Sequence, residues 1–167
     1  HWLLKFDGVV DQQMGTSSGY GRVEMAYYMM AQAARIVMTE CRLLEENNRA
    51  HFMTKRFDRA SNNDKFHVQS FCAIMHYDFN EITAYSYEQL FETMRSMLLP
   101  YPDAEQLFRR MVFNVMAKNC DDHTKNFSFI MDKAGQWRLA PAFDICHAFR
   151  PGSTWVSQHS LSINGKR

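Results

Sequence analysis

Asp121 and Asn126 stand five residues apart in the stretch NCDDHTKNFSF (119–129), and Asp144 follows after a run that reads as a small hairpin. Two carboxylates and an amide oxygen can do acid–base work and can hold a hard divalent cation, because such ions take oxygen ligands. One carboxylate would accept the proton of an attacking hydroxyl. The amide and the second carboxylate would bind magnesium against a polyphosphate, which is the set of groups phosphoryl transfer needs. Lys5, on the alternating segment Trp2–Phe6, and Glu24, further along, add a cation for phosphate oxygens and an anion to hold that cation in place. Taken singly, each residue has an ordinary reading. Asp-x-x-x-x-Asn is common by chance, Asp144 could cap a helix, Lys5 could be a solvated strand residue, and Glu24 a first-turn charge complementing a helix dipole.

Order and context strengthen the reading. Protein kinases carry Asp-x-x-x-x-Asn on a catalytic loop and a second, metal-binding Asp after a short hairpin. Here the local sequence at that second position is Ala-Phe-Asp rather than Asp-Phe-Gly. A strand lysine followed by an early helix glutamate matches the pair that positions the nucleotide's α- and β-phosphates. The segment FMTKRF then leads into a hinge, where backbone groups of Lys55 and Phe57 would bond an adenine edge.

The elements that must position these residues are legible in outline. Trp2–Phe6 alternates like a short strand. A polar loop with Gly15, Gly19 and Gly21 and two serines follows. Val23 to Met38 is rich in Ala, Met and Tyr at helical spacing, with Glu24 in the first turn. Cys41–Glu46 and Ala50–Phe57 read as a hairpin turning at Asn47-Asn48, since asparagine tolerates positive φ. Helices are expected over 68–75, over 87–98 before Pro100, and from an Asp103 cap to about Lys118. In the last of these Leu107, Met111 and Val115 form a buried stripe beside Phe108 and Val112. FSFIMD and QWRLA read as strands joined at Lys133-Ala134-Gly135, and the tail from Trp155 to Ile163 alternates weakly.

Composition bounds the alternatives. The 167 residues are 46% hydrophobic and 14% aromatic with a net charge of +1, which suits a globular domain and gives nucleic-acid binding no support. Charged and amide residues interrupt every apolar run, so neither a membrane span nor a signal peptide is expected. Cys41, Cys72, Cys120 and Cys146 are far apart and read as reduced thiols of a cytoplasmic protein rather than a zinc site or disulfide framework. The chain opens on a strand-like HWLLKFDG and closes on SINGKR, just past another strand-like run, which suggests a fragment of a larger protein.

NCDDHTKNFSF, WRLAPAFDI, FMTKRFDR and HSLSINGK together make the chain resemble the HipA family of bacterial serine/threonine kinases, the toxin half of HipA–HipB toxin–antitoxin modules. The likeness is to the family's C-terminal kinase domain and spans nearly the whole chain. Its most specific part is Asp-x-His-x-Lys-Asn followed by Leu-Ala-Pro-Ala-Phe-Asp. The resemblance implies an α+β, protein-kinase-like fold with a mostly helical C-terminal lobe (61–167) and a small strand and hairpin part (1–60), a remnant of the nucleotide-binding lobe and hinge. It implies ATP and Mg2+ as cofactors. Asp121 would be the catalytic base, and Asn126 and Asp144 would hold magnesium. Lys5 would bind phosphates with Glu24 as its partner, Phe143 would lie beside the nucleotide, and Lys55, Arg56 and Phe57 would line the adenine pocket. His123, Thr124 and Lys125 would contact phosphates or support the loop, His123 equally as a loop histidine bonded to backbone. Asp122 matches no required catalytic role and reads as supporting.

The family's glycine-rich phosphate loop, with its regulatory serine, lies ahead of the lysine strand. The resemblance therefore implies truncation before that loop and weak activity of this piece alone. GTSSGYG, which follows Lys5, is no substitute. Implied partners are a protein substrate, often an aminoacyl-tRNA synthetase in this family, and a HipB-like helix-turn-helix antitoxin. The alternatives are a nucleotide- or antitoxin-binding module with little activity, a related small-molecule kinase, and a metal-dependent hydrolase built on Asp121, Asp122, His123, Asp144 and His147. The last is disfavoured because no HxH or HExxH pair is present.

Overall fold

The computed structural model describes residues 1–11, 15–16, 18–60, 62 and 64–167. Ser17 of the polar loop lies outside them. The chain runs β1 (Trp2–Lys5), β2 (Val10–Asp11), β3 (Gly15–Thr16), α1 (Tyr20–Ala33), β4 (Cys41–Glu46), β5 (Arg49–Lys55), β6 (His67–Ser70), α2 (Phe71–Ile74), α3 (Tyr87–Ser96), α4 (Tyr101–Met116), β7 (Ser128–Met131) and β8 (Trp137–Leu139). β1, β5 and β4 form one antiparallel sheet and β6, β7 and β8 another, while β2 and β3 pair with each other.

The β4–β5 hairpin turns at Asn47 and Asn48, both with positive φ (48° and 63°), as a two-residue turn between right-twisted strands requires. Lys5 pairs with Phe52 across the sheet. α1 lies against the same sheet, and Tyr28 packs there with Cys41 and Phe52. The helix begins at Tyr20 rather than Val23, which moves Glu24 out of the first turn. Gly19, at φ 83°, accepts from the N–H groups of Arg22 and Val23 and lets the chain enter three residues early. It stops at Ala33, not Met38. Arg35 takes a left-handed φ of 57°, its N–H bonds Gln32 O and that of Ile36 bonds Ala31 O, the pattern of a Schellman cap. The freed strand end then crosses the molecule, where Ala142 N–H bonds Val37 O at 2.8 Å.

The larger core gathers Phe71, Tyr87, Leu90, Met94, Leu107, Phe127, Phe129, Leu139 and Leu161. Burying each of the large side chains contributes about 1.5–3 kcal/mol before chain entropy is counted. α3 carries a capping box: Ser86 Oγ accepts from Gln89 N–H and the Gln89 side chain answers at Ser86 N–H. α4 ends in a second Schellman cap, with Lys118 at φ 52° and the N–H of Asn119 on Asn114 O, which turns the chain sharply into the 119–127 loop.

Four expectations are corrected here. The helix expected over 68–75 is β6 followed by the four-residue α2, because Val68–Ser70 are taken up by pairing with Ser128–Ile130. Asp103 does not cap α4, whose N-cap is Pro100. It sits in the first turn, where its carboxylate binds Arg138 Nε and Nη2 at 2.8 and 2.7 Å and Leu139 N–H at 2.8 Å. The buried face of α4 runs through Asp103, Leu107, Arg110, Phe113 and Asn114, leaving Phe108, Val112 and Val115 exposed. The tail carries only isolated bridges, Ser86 with Ser162 and Ile163 with Lys166, in place of a strand. All four cysteines are free thiols, and among the described residues no helix is long and apolar enough to cross a membrane.

Candidate active site

The ammonium of Lys5, at the end of β1, lies between two carboxylates, 2.9 Å from Glu24 Oε2 and 2.6 Å from Asp144 Oδ1. Burial opposes the Lys5 charge, but the charges and hydrogen bonds of Asp144 and Glu24 outweigh it and hold the ammonium above its ordinary range. Glu24 moves upward as well, because burial overcomes the stabilisation it receives from Lys5. The Lys5 and Asp144 side chains remain nearly half exposed, so this bridge adds little to stability, of the order of 0–1 kcal/mol. Its value is positional. Asp144 lies in the left-handed region, at φ 55°, which is not the conformation of a helix N-cap.

A cavity of about 350 Å³ opens beside this triad. Lys5, Glu24 and Asp144 line one part of it, and Lys55, Arg56, Phe57 and Phe143 another. The Phe57 and Phe143 rings approach to 5.7 Å between centroids, forming an aromatic wall. Of the backbone groups expected to read a base, Lys55 is committed: its N–H bonds Glu40 O and its carbonyl accepts from Thr39 Oγ1. Arg56 N–H is taken by His1 O, while Phe57 N–H has no hydrogen bond within the described residues. Arg56 turns its guanidinium to Asp58, which sits at the cavity rim.

The 119–127 loop carries the other candidate residues; none of them lines the cavity, and the loop's link to the triad is the charge of Asp144 felt at Asp121. Asn126 donates its side-chain N–H to Asp121 O at 2.8 Å, and its backbone N–H bonds His123 O, so the loop closes on itself between the two residues singled out by spacing. This fixes the amide and leaves Asn126 Oδ1 without a hydrogen bond among the described residues. Asp144 Oδ2 is free in the same sense. One amide oxygen and one carboxylate oxygen are thus uncommitted, each of the hard type that magnesium takes. Asp121 lies 3.7 Å from His123 Nε2. Burial chiefly raises the Asp121 carboxyl above its usual range; His123 opposes the shift, and the negative charges of Asp144 and Asp122 add to it. A base poised closer to neutrality is better matched to proton transfer.

The remaining loop residues have contacts of their own. Lys125 lies over the Phe79 ring, 3.2 Å from its centroid. Thr124 is buried, and its hydroxyl has no partner among the described residues, as is also true of His123 Nδ1. The carbonyl of Thr124 accepts from Cys72 N–H and that of Phe127 from Phe71 N–H, pinning the loop to α2. Asp122, read as supporting, is fully buried and accepts from Tyr87 Oη, Ser160 N–H and His159 Nδ1. Spacing gave no sign of Tyr87 or His159. The only trace was the HSLSINGK run, quoted for its likeness and given no role.

A family model described as HipA-like C-terminal domain matches residues 1–167. A Sinorhizobium fredii protein named "Putative kinase Y4mE" is 28% identical over 110 residues, which are 59% of this chain and 26% of that protein. A chain in the structure of the Shewanella oneidensis MR-1 toxin–antitoxin system HipA, HipB and its operator DNA complex matches with a TM-score of 0.75 at 14% identity, over 99% of this chain and 46% of that one. The chain therefore spans about a quarter and about half of the lengths of these two proteins, and it shares the fold of the second.

Proposed function

Because the chain belongs to the HipA-like C-terminal domain family, we propose that it is the catalytic part of a protein kinase that moves the γ-phosphate of ATP to a serine or threonine hydroxyl. The observation that carries this reading is Lys5 held between Glu24 and Asp144 at the edge of an aromatic-walled cavity, with the Asp121–Asn126 loop supplying a base.

In this reading the adenine lies against the wall formed by Phe57 and Phe143, and Lys5 turns its charge to the phosphates. Asp121 orients the acceptor hydroxyl and takes its proton. The oxygen so exposed forms its bond to the γ-phosphorus as the bond from that phosphorus to the β–γ bridging oxygen breaks, and ADP leaves. Asn126 Oδ1 and Asp144 would hold magnesium, which neutralises charge on the phosphates when bound. Asp144 is bonded to Lys5 in the described structure, so nucleotide entry exchanges that partner for new ones. A HipB-like helix-turn-helix partner and a translation-related protein substrate are the corresponding biological proposals, supported by the company kept by the Shewanella structure and by the family likeness.

Calorimetric titration of the full-length protein with ATP and magnesium tests the nucleotide seat. Binding is expected for the parent, and Lys5→Met is expected to weaken it by about tenfold or more, as loss of a charge-assisted contact predicts. Equal affinity in the two would remove Lys5 from the site. Tight binding with no turnover would favour a binding module over an enzyme.

A further inference from the structure

Beside the proposed base stands a carboxylate with no part in that chemistry, and it is 0% exposed. Asp122 Oδ2 accepts from Tyr87 Oη at 2.8 Å and faces His159 Nδ1 at 3.1 Å; Oδ1 accepts from Ser160 N–H at 2.8 Å. An ionised carboxylate only accepts, so the network assigns the proton to His159 Nδ1. Tyr87 Oη in turn accepts from Asn114 Nδ2 at 3.0 Å, and Asn114 Oδ1 from Asn119 Nδ2 at 3.0 Å. One buried charge thus joins α3, α4, the start of the loop and the tail. Burial above all, with the adjacent Asp122 charge, pushes the Tyr87 hydroxyl well above its usual range, so it stays a donor. A carboxylate removed from water this completely is stable only while those donors hold it, and that dependence fixes its backbone.

The backbone so fixed is that of the next residue, Asp121. We infer that Asp122 is a positioning residue for Asp121, held by Tyr87 and His159, and that it sets the rate of the transfer step without touching the nucleotide. The inference rests on the phosphoryl-transfer reading. None of Asp122, Tyr87 or His159 lines the cavity, so their loss should act on the base and spare nucleotide binding. The network also ties down the far end of the segment running from Asp144 to His159. Its near part is held where Ala148 exchanges backbone hydrogen bonds with Lys118 and Cys120.

The test uses the full-length protein with γ-labelled MgATP and a protein fraction of the source cells as acceptor, and takes the rate of protein labelling per folded molecule as the readout. Tyr87→Phe removes one donor and keeps the ring. His159→Leu removes another, and His159→Asn restores a donor near the Nδ1 position. Tyr87→Phe and His159→Leu are expected to lower kcat by about tenfold or more, as small misplacements of catalytic groups do. KM for MgATP should stay within about twofold of the parent, and His159→Asn should recover most of the rate. Parent kcat per folded molecule in Tyr87→Phe and His159→Leu, with only thermal stability reduced, would overturn the inference and leave Asp122 a purely structural residue. A KM that rises while kcat holds would overturn it too. A parent that binds MgATP and labels no protein would instead refute the transfer reading, and the inference would fall with it.

Discussion

Gly21 links the packing of α1 to the chemistry at Lys5, and its replacement by alanine is the sharpest structural prediction. A Cβ at this position would stand 1.9 Å from Ala50 O and 3.0 Å from Ala50 C, both backbone atoms of β5. Neither can rotate away. Restoring an ordinary carbon–oxygen contact requires the helix to move by about 1.4 Å. Glu24 lies one turn along the same face, three residues on. The Lys5–Glu24 contact of 2.9 Å would then open past the roughly 4 Å limit of an ion pair. Overpacking of this kind costs about 1–3 kcal/mol. At about 2–4 °C per kcal/mol for a chain of this size, Tm should fall by roughly 2–12 °C. Scanning fluorimetry and initial rates with MgATP measure the two effects together. Gly19→Ala is the companion variant: no atom lies within 4 Å of its Cβ, but φ is 83°, so it should lose about 1–2 kcal/mol while keeping Glu24 in place and the rate intact. A Gly21→Ala protein with parent Tm and parent rate would refute the close approach of α1 to β5 and its role in seating Glu24.

Two further outcomes follow from buried and bridged carboxylates. Asp103→Ala strips Arg138 of a two-pronged partner, leaves Leu139 N–H unbonded and removes the one carboxylate whose charge offsets burial at Arg110, whose guanidinium burial lowers to about 10. A loss of about 1–3 kcal/mol is expected in urea unfolding, from a buried N–H left without an acceptor and a buried guanidinium left without its counter-charge, and a loss under about 0.5 kcal/mol would contradict the network. Asp58 is held below its usual range, chiefly by its hydrogen bonds from Arg56. Its folded-state value is lower than its unfolded one, so its stabilisation is complete above the unfolded value and is lost as pH falls through the folded one. Urea midpoints measured downward from pH 6 should show that loss, and Asp58→Asn should flatten it.

The parts of the fold set by local chemistry were readable in the sequence. Asn47-Asn48 announced a turn with two positive φ values, and the alternation of Trp2–Phe6 placed Lys5 on a strand. The spacing of Asp121 and Asn126 placed them on one loop, closed in the structure by their own hydrogen bond. What failed depended on partners far along the chain. α4 was read by hydropathy, which picks Phe108, Val112 and Val115, whereas its buried face includes Asp103, Arg110 and Asn114. Those polar residues find partners in Arg138, Ala140 O and Tyr87, although Arg110 Nε stays unpaired among the described residues, and hydropathy carries no record of such partners. Residues 68–75 have helical character, but pairing with Ser128–Ile130 claims the first three as strand. The Asp122 network draws on residues 35–38 positions away, and no local spacing encodes it. Lys5 and Glu24 were paired by likeness and order, with Asp144 set apart as a metal ligand; the structure puts Lys5 in contact with both carboxylates.

The central claim is that Asp121 serves as the base of a phosphoryl transfer. Incubating the full-length protein and its Asp121→Asn variant with γ-labelled ATP, magnesium and a protein fraction of the source cells measures it directly. Label is expected on serine or threonine with the parent. With Asp121→Asn transfer should be slower by about 10²–10⁴-fold, the usual contribution of a general base, while the melting curve stays unchanged. Labelling by Asp121→Asn at the parent rate would contradict the account.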